Sequence, residues 1–227
     1  MSKGKLIAIE GTDCSGKETQ TNLLIEKMHK AGYRVQSFSF PNYNSPTGRI
    51  IGGPYLGKEK FGPCYFPEGS VNVDPKVASL YYAADRQYNI DKIKLLLDNG
   101  YNVILDRYIY SNMAHQGGKI EDKKERYDMY DWLDKLEFGL LNLPKPDITI
   151  FLHMPLAVAT ILKEHREEAP DGHEKSPEHL NHAEKAYLEL SDKYNFIKIE
   201  CSKDGTPRPI EEINNEIFEV VDKIMKE

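Results

Sequence analysis

The stretch Gly11-Thr12-Asp13-Cys14-Ser15-Gly16-Lys17-Glu18-Thr19 sets two glycines apart by four residues and puts a lysine directly after the second. That spacing suits the grip of a phosphate group. Glycines let backbone N–H groups turn inward on phosphate oxygens, a following helix adds the positive end of its dipole, and Lys17 brings a point charge to the outer phosphates. Gly-x4-Gly-Lys is short enough to arise by chance, so its context decides. It follows the apolar run LIAI at 6–9 and precedes an amphipathic stretch, the strand-loop-helix setting such a loop requires. Glu18 departs from the usual pattern, in which a Ser or Thr hydroxyl after the lysine ligates Mg²⁺. Either the Glu18 carboxylate holds the ion, directly or through water, or it faces solvent and Thr19 is the nearest hydroxyl. Repulsion between a carboxylate and the phosphates favours the second arrangement.

A second group of reactive residues follows the run NVILDR at 102–107. In an open parallel sheet ligands sit beyond the carboxyl ends of the strands, so Asp106, Arg107 and Tyr108 are expected to face the same crevice as the glycine loop. Ser111, Asn112 and His115 recur at spacings that share one side of a short helix.

The elements that must position these groups alternate along the chain. Runs at 5–10, 34–40, 102–107, 147–152 and 196–201 are mostly apolar, as in strands covered on both faces. Helices are predicted at 17–31, 75–99, 121–141, 157–166, 178–193 and 210–226, with Gly32 and Gly100 as stops. This alternation implies an α/β fold, a three-layer sandwich around a five-stranded parallel sheet with right-handed crossovers, formed by one domain over 1–227. Residues 52–74, rich in Gly and Pro, are expected to form a long surface loop, and the region from about 166 to 177 a mobile lid.

Composition narrows the function. The 227 residues carry a net charge of −6, which argues against a nucleic-acid backbone as partner. No apolar run approaches the roughly 20 residues of a membrane span, and no signal-peptide core is present, so a cytoplasmic protein without membrane contact is expected. Cys14, Cys64 and Cys201 are too few and too scattered for a disulfide framework or a zinc site.

In order along the chain, EGTDCSGKETQ (10–20), FPNY (40–43), ASLYYAADR (78–86), DRYIYSNMAHQGG (106–118), LPKPDITIFL (143–152) and AYLELSDKY (186–194) resemble the thymidylate kinases, P-loop nucleoside monophosphate kinases. The resemblance implies ATP-dependent phosphorylation of dTMP to dTDP, with Mg²⁺ as cofactor, in a homodimer. Residues 11–19 would hold ATP, and Asp13 within them would contact the acceptor 3′-hydroxyl. Phe40, Pro41, Tyr82, Ser111 and Asn112 would line the acceptor pocket, with Tyr82 stacked on the base and Asn112 on its ring nitrogen. Arg86 would read a thymine carbonyl, and Arg107 would be shared between acceptor and donor phosphates. Asp106 and Thr19 would serve the metal.

Taken singly, Phe40 and Tyr82 read as core aromatics, Arg86 as a solvated helix arginine and Asn112 as a cap; their joint order is what reverses this. Three positions depart from the family. Tyr43 replaces a common arginine on the acceptor phosphate. His115 replaces the aromatic near the sugar 2′ position, which loosens rejection of ribonucleotides. Cys14 stands where some members carry a catalytic arginine, so the lid must supply the cation, with Arg166 and Lys175 as candidates and His165 and His173 as weaker ones. These departures keep open a kinase for another deoxynucleoside monophosphate or a nucleoside, and a non-catalytic nucleotide-binding protein on the same scaffold.

Overall fold

Residues 3–163, 173 and 176–226 are described by a computed structural model. Strands β1 (Leu6–Gly11), β2 (Val35–Ser39), β3 (Asn102–Asp106), β4 (Ile148–His153) and β5 (Ile197–Glu200) form one parallel sheet in the order β2-β3-β1-β4-β5. Alternate side chains of β1 leave on opposite faces. Leu6 and Ala8 join one core beneath α3 (Pro75–Asp98), α4 (Ile109–Gly117) and α7 (Pro177–Tyr194). Ile7 and Ile9 join the other, beneath α1 (Lys17–Lys30) and α8 (Ile210–Lys226). The result is the expected three-layer sandwich. The remaining helices are α2 (Pro46–Ile50), α5 (Lys123–Asp134) and α6 (Leu156–Lys163), and a two-stranded hairpin pairs β6 (Ser202–Lys203) with β7 (Thr206–Pro207). Gly32 and Gly100 do stop their helices, at φ +87° and +75°, the left-handed geometry that glycine takes without steric cost.

Three expectations are corrected. Burial on both faces holds for β1, but β2 and β5 are edge strands with exposed positions on at least one side. The segment 52–74 is not a bare surface loop. It coils into a π-helical turn (Ile51–Tyr55) and two 3-10 turns, and Ile51, Tyr55, Leu56 and Val73 bury against Ala78 of α3. The predicted helix at 121–141 is α-helical only to Asp134; a π-helical turn, Lys135–Leu140, then rotates Glu137 and Phe138 inward. The large apolar side chains of these helices pack mostly inward. Tyr130 is fully buried, while Tyr81, Trp132 and Leu136 pack on the cores. Exposed apolar side chains on α3 are instead Val77, Leu80, Tyr88 and Leu95. Helix α6 is described to Lys163, and Arg166, His165 and Lys175 of the expected lid lie outside the described residues.

Helix α4, which carries much of the reactive chemistry, is fitted closely against α5. A Cβ added at Gly117 would sit 2.3 Å from Cε1 of the buried Tyr130 ring. Gly117→Ala is expected to cost about 1–3 kcal/mol, seen as a lower urea midpoint with an unchanged denaturant slope.

Candidate functional site

The glycine loop leaves β1 under tight packing: a Cβ at Gly11 would meet the Leu152 carbonyl oxygen and Ser15 Oγ, each at 2.7 Å. Cys14 (φ +61°) and Gly16 (φ +79°) then turn the loop through left-handed geometry, and space around the Gly16 Cα is open. For cysteine that geometry is a strain held in place by the surroundings. Thr12 Oγ1 donates to the Met154 carbonyl at 3.1 Å, which fastens the loop to the end of β4. Lys17 donates to the Thr12 carbonyl at 2.6 Å. Burial, then the nearby Arg107 charge, lowers its pKa to about 8.

A wide crevice opens over this loop, lined by Asp13, Cys14, Gly16, Lys17, Glu18 and Thr19 on one side and by Ser39, Tyr43, Lys58, Asp106 and Arg107 on the other. Gly11, Thr12 and Ser15, expected with them, are buried beneath it. Glu18 and Thr19 are both exposed, on the first turn of α1. Asp106 has a buried carboxylate oxygen, Oδ1, with no hydrogen-bond partner. Such an oxygen beside an anion-binding loop suits a hard divalent cation, which prefers oxygen ligands. Asp106 therefore fits the magnesium that the resemblance implies, and Thr19 borders the same crevice.

Arg107 is the hinge of the site. Its backbone is left-handed (φ +64°), and its N–H donates to the Ile9 carbonyl at 3.0 Å. Its guanidinium pairs with the Asp13 carboxylate and reaches the Gly11 carbonyl and Ser111 Oγ, each at 3.3 Å. It borders both the crevice and a second, narrower pocket. Asp13, Phe40, Pro41, Tyr43, Tyr82, Arg86, Ser111, Asn112 and His115 all line that pocket with it, joined by Leu56, Tyr108, Gln116 and His173. The sequence-predicted acceptor residues thus meet at one place.

Several unforeseen residues hold them there. Glu137, wholly buried, takes Arg86 Nε and Nη2 on its two oxygens at 2.5 Å each and accepts from Asn112 Nδ2 at 3.2 Å. Asn112 Oδ1 and both ends of the buried Gln116 amide have no partner. Asp85 accepts from the Asn42 backbone, Ser45, Thr47 and Asn89 at 2.7–3.0 Å, which shapes the turn that presents Tyr43. Glu10, at the end of β1, accepts from the backbone N–H of Tyr108 (2.9 Å) and Ser111 (3.2 Å), from Ser111 Oγ (2.5 Å) and from Tyr187 OH (3.3 Å). Burial pushes its carboxyl above the ordinary range, against the pull of those donors. Burial also holds His115 well below its usual pKa and His179 down to about 3, so both rings are neutral at neutral pH. Glu10 carried a signal in sequence, an acid closing an apolar strand. Gln116 sat inside a quoted motif without being read, and Lys58 and Glu137 gave no signal because each lay in an element whose shape was misjudged.

A parallel sheet of this order, with a phosphate loop after its central strand and helices on both faces, is the P-loop NTPase type of α/β fold. Residues 9–217 match the family model described as thymidylate kinase, and the chain belongs to the thymidylate kinase family. Thymidylate kinase of Plasmodium falciparum is 31% identical over 225 residues, covering 99% of this chain and 93% of the relative. The human thymidylate kinase is 32% identical over 157 residues, covering 69% of this chain and 64% of the human one. The solved thymidylate kinase of Candida albicans superposes with a TM-score of 0.75 at 25% identity, covering 99% of this chain and 94% of that one. The chain is a kinase, and its family and relatives indicate phosphorylation of dTMP to dTDP with ATP.

Removing Glu137 alone leaves Arg86 buried without a counter-charge. Glu137→Ala is expected to cost about 3–5 kcal/mol, and Arg86→Met with Glu137→Leu to recover most of it, because a well-packed apolar pair can replace a buried ion pair. Urea unfolding of the two variants checks this.

Proposed function

We propose that ATP lies in the crevice over the glycine loop and dTMP in the adjoining pocket, with their phosphates meeting at Arg107. The observation that carries this reading is the single guanidinium bordering both cavities. Phosphoryl transfer passes through a loose transition state with charge spread over the moving group, so positioning and cations do most of the work. Lys17 leaves the Thr12 carbonyl for the outer phosphates. Arg107 holds acceptor and donor phosphates in line, and Asp13, released from it, takes the sugar 3′-hydroxyl. The acceptor phosphate is already ionised at neutral pH, so no strong general base is required.

Tyr82 and Phe40 hold the base. Arg86, steadied by Glu137 through Nε and Nη2, keeps Nη1 for a base carbonyl. The unpartnered groups of Gln116 and Asn112 offer donors and acceptors to the base edge, and His115 lies by the sugar. Bound Mg²⁺, held by Asp106 and Thr19, would neutralise charge on the donor phosphates. Lys58, whose ammonium lies 5.3 Å from the Tyr43 ring centroid, offsets the arginines absent at positions 14 and 43. The region from about 166 to 177 acts as the lid, and Arg166 brings its cation. The chain works as one domain in the cytoplasm, as a homodimer joined through the exposed α3 stripe of Val77, Leu80, Tyr88 and Leu95.

A panel of monophosphates, read by coupled ADP release, tests the reading. dTMP should give the highest kcat/KM, and Lys17→Ala should lower turnover by about 10²–10³-fold, the usual loss of one transition-state charge contact, without altering the melting curve. Turnover with no acceptor, or near-normal rates in the variant, would refute it. Glu18 faces solvent at the start of α1, where its charge complements the helix dipole by ~0.3–1 kcal/mol. Glu18→Ala should leave the half-saturating magnesium concentration unchanged, and a several-fold rise would assign Glu18 to the metal.

A further inference from the structure

Three imidazoles converge beside the acceptor pocket: His115 from α4, His179 from α7 and His173 from just before α7. His173 and His179 are only 5% and 6% exposed, and His179 opens the buried face of α7 that continues through Ala183 and Tyr187. One ring nitrogen from each lies within 4.8 Å of the other two. His115 Nδ1 and His179 Nε2 stand 3.2 Å apart. Two ligands of a tetrahedral ion with metal–nitrogen bonds of about 2.0–2.1 Å are separated by roughly 3.3 Å. Those two nitrogens are therefore already spaced to share one ion, and the third ring needs to close by no more than roughly 1.5 Å to join them.

The surroundings of His173 prepare it for the same task. Tyr55 OH lies 3.0 Å from the Ser70 carbonyl and 3.1 Å from His173 Nε2. With the hydroxyl proton given to Ser70, Nε2 is the donor of the second bond, and the His173 proton is then held on Nε2. A metal-binding histidine is commonly fixed in this way, through a hydrogen bond from its other ring nitrogen. Between His115 and His179, the proton now shared can move to the far nitrogen of the same ring, which frees both facing lone pairs with no net loss of protons. Lys119, 3.4 Å from Tyr55 OH, opposes a cation here, but it is tied to the Ser70 and Val73 carbonyls at 3.1 and 3.0 Å, and burial lowers its pKa to about 8.

We propose that His115, His173 and His179 bind one zinc ion, at a site distinct from the oxygen-lined magnesium position at Asp106 and Thr19. Three neutral imidazoles select a borderline transition-metal ion over magnesium or calcium, which prefer oxygen. The fourth position opens toward the pocket and takes water. The bound ion ties the chain at His173 to α4 and α7, so it raises the stability of the folded state by mass action.

The test uses the full chain, stripped with a chelator and free of nucleotide, so its outcome is independent of the acceptor assignment. Zinc chloride is titrated by calorimetry, and Co²⁺ serves as a spectroscopic probe. One ion per chain, a tetrahedral cobalt spectrum without thiolate bands, and a zinc-dependent rise in melting temperature are expected. His173→Gln and His179→Gln, which keep a hydrogen-bonding side chain, should each weaken binding at least tenfold. Tyr55→Phe, which removes the hydroxyl hydrogen-bonded to His173 Nε2 and keeps the ring, should weaken it by about 10–100-fold. Melting curves without metal confirm that the variants fold. No saturable ion, thiolate bands in the cobalt spectrum, or undiminished one-to-one binding in both glutamine variants would overturn the proposal.

Discussion

The Glu10 carboxylate is the joint on which the site turns. It closes the central strand, is inaccessible to solvent, and gathers donors from the start of α4 and from Tyr187 of α7. The loop that follows it lines the wide crevice, while the helix it anchors brings Ser111, Asn112, His115 and Gln116 to the narrower pocket. One buried acid thereby fixes the distance between the two cavities. A group buried this deeply is costly unless satisfied, and a structure that meets the cost with four hydrogen bonds gains geometric definition in return.

The narrower pocket follows the same pattern of buried polarity on a different scale. Arg86 is oriented by a bidentate partner, so its planar fork is fixed before any substrate arrives. Next to it, the Gln116 amide and Asn112 Oδ1 remain unsatisfied. Unmade hydrogen bonds of this kind penalise the empty state and reward a ligand whose edge completes them, which is how a site rejects an analogue lacking the right group.

How much of this was legible in the sequence depended on whether local pattern or distant packing decided the matter. The strands at β1, β3 and β4 and the phosphate loop were readable because apolar runs and glycine spacing act locally. The exposure of β2 and β5 was not, since an edge position is a property of strand order. The break after Asp134 escaped because a π-helical turn keeps helical composition while changing which side chains face inward; Glu137 was lost with it. The pocket residues were legible only through an ordered resemblance to a family, and the structure brings them together. His115, His173 and His179 lie too far apart in the chain for their meeting to be foreseen from spacing, and the short turns around Tyr55 were hidden behind a Gly- and Pro-rich composition that reads as loop.

The strand order also has a consequence in time. β1 pairs on either side with strands that come much later, β3 and β4. The Lys5 backbone N–H finds its partner on Asn102, 97 residues onward, and that of Leu6 finds Asp147, 141 residues onward. At a synthesis rate of about 5–20 residues per second, the first strand of a nascent chain waits on the order of 5–20 s before its first lateral partner leaves the ribosome. A strand that is apolar from Leu6 to Ile9 spends that interval unpaired. The glycine loop, which emerges well before β3 and β4, thus settles late, and its safe passage falls to the helix that follows it and to whatever in the cell shelters unfinished chains.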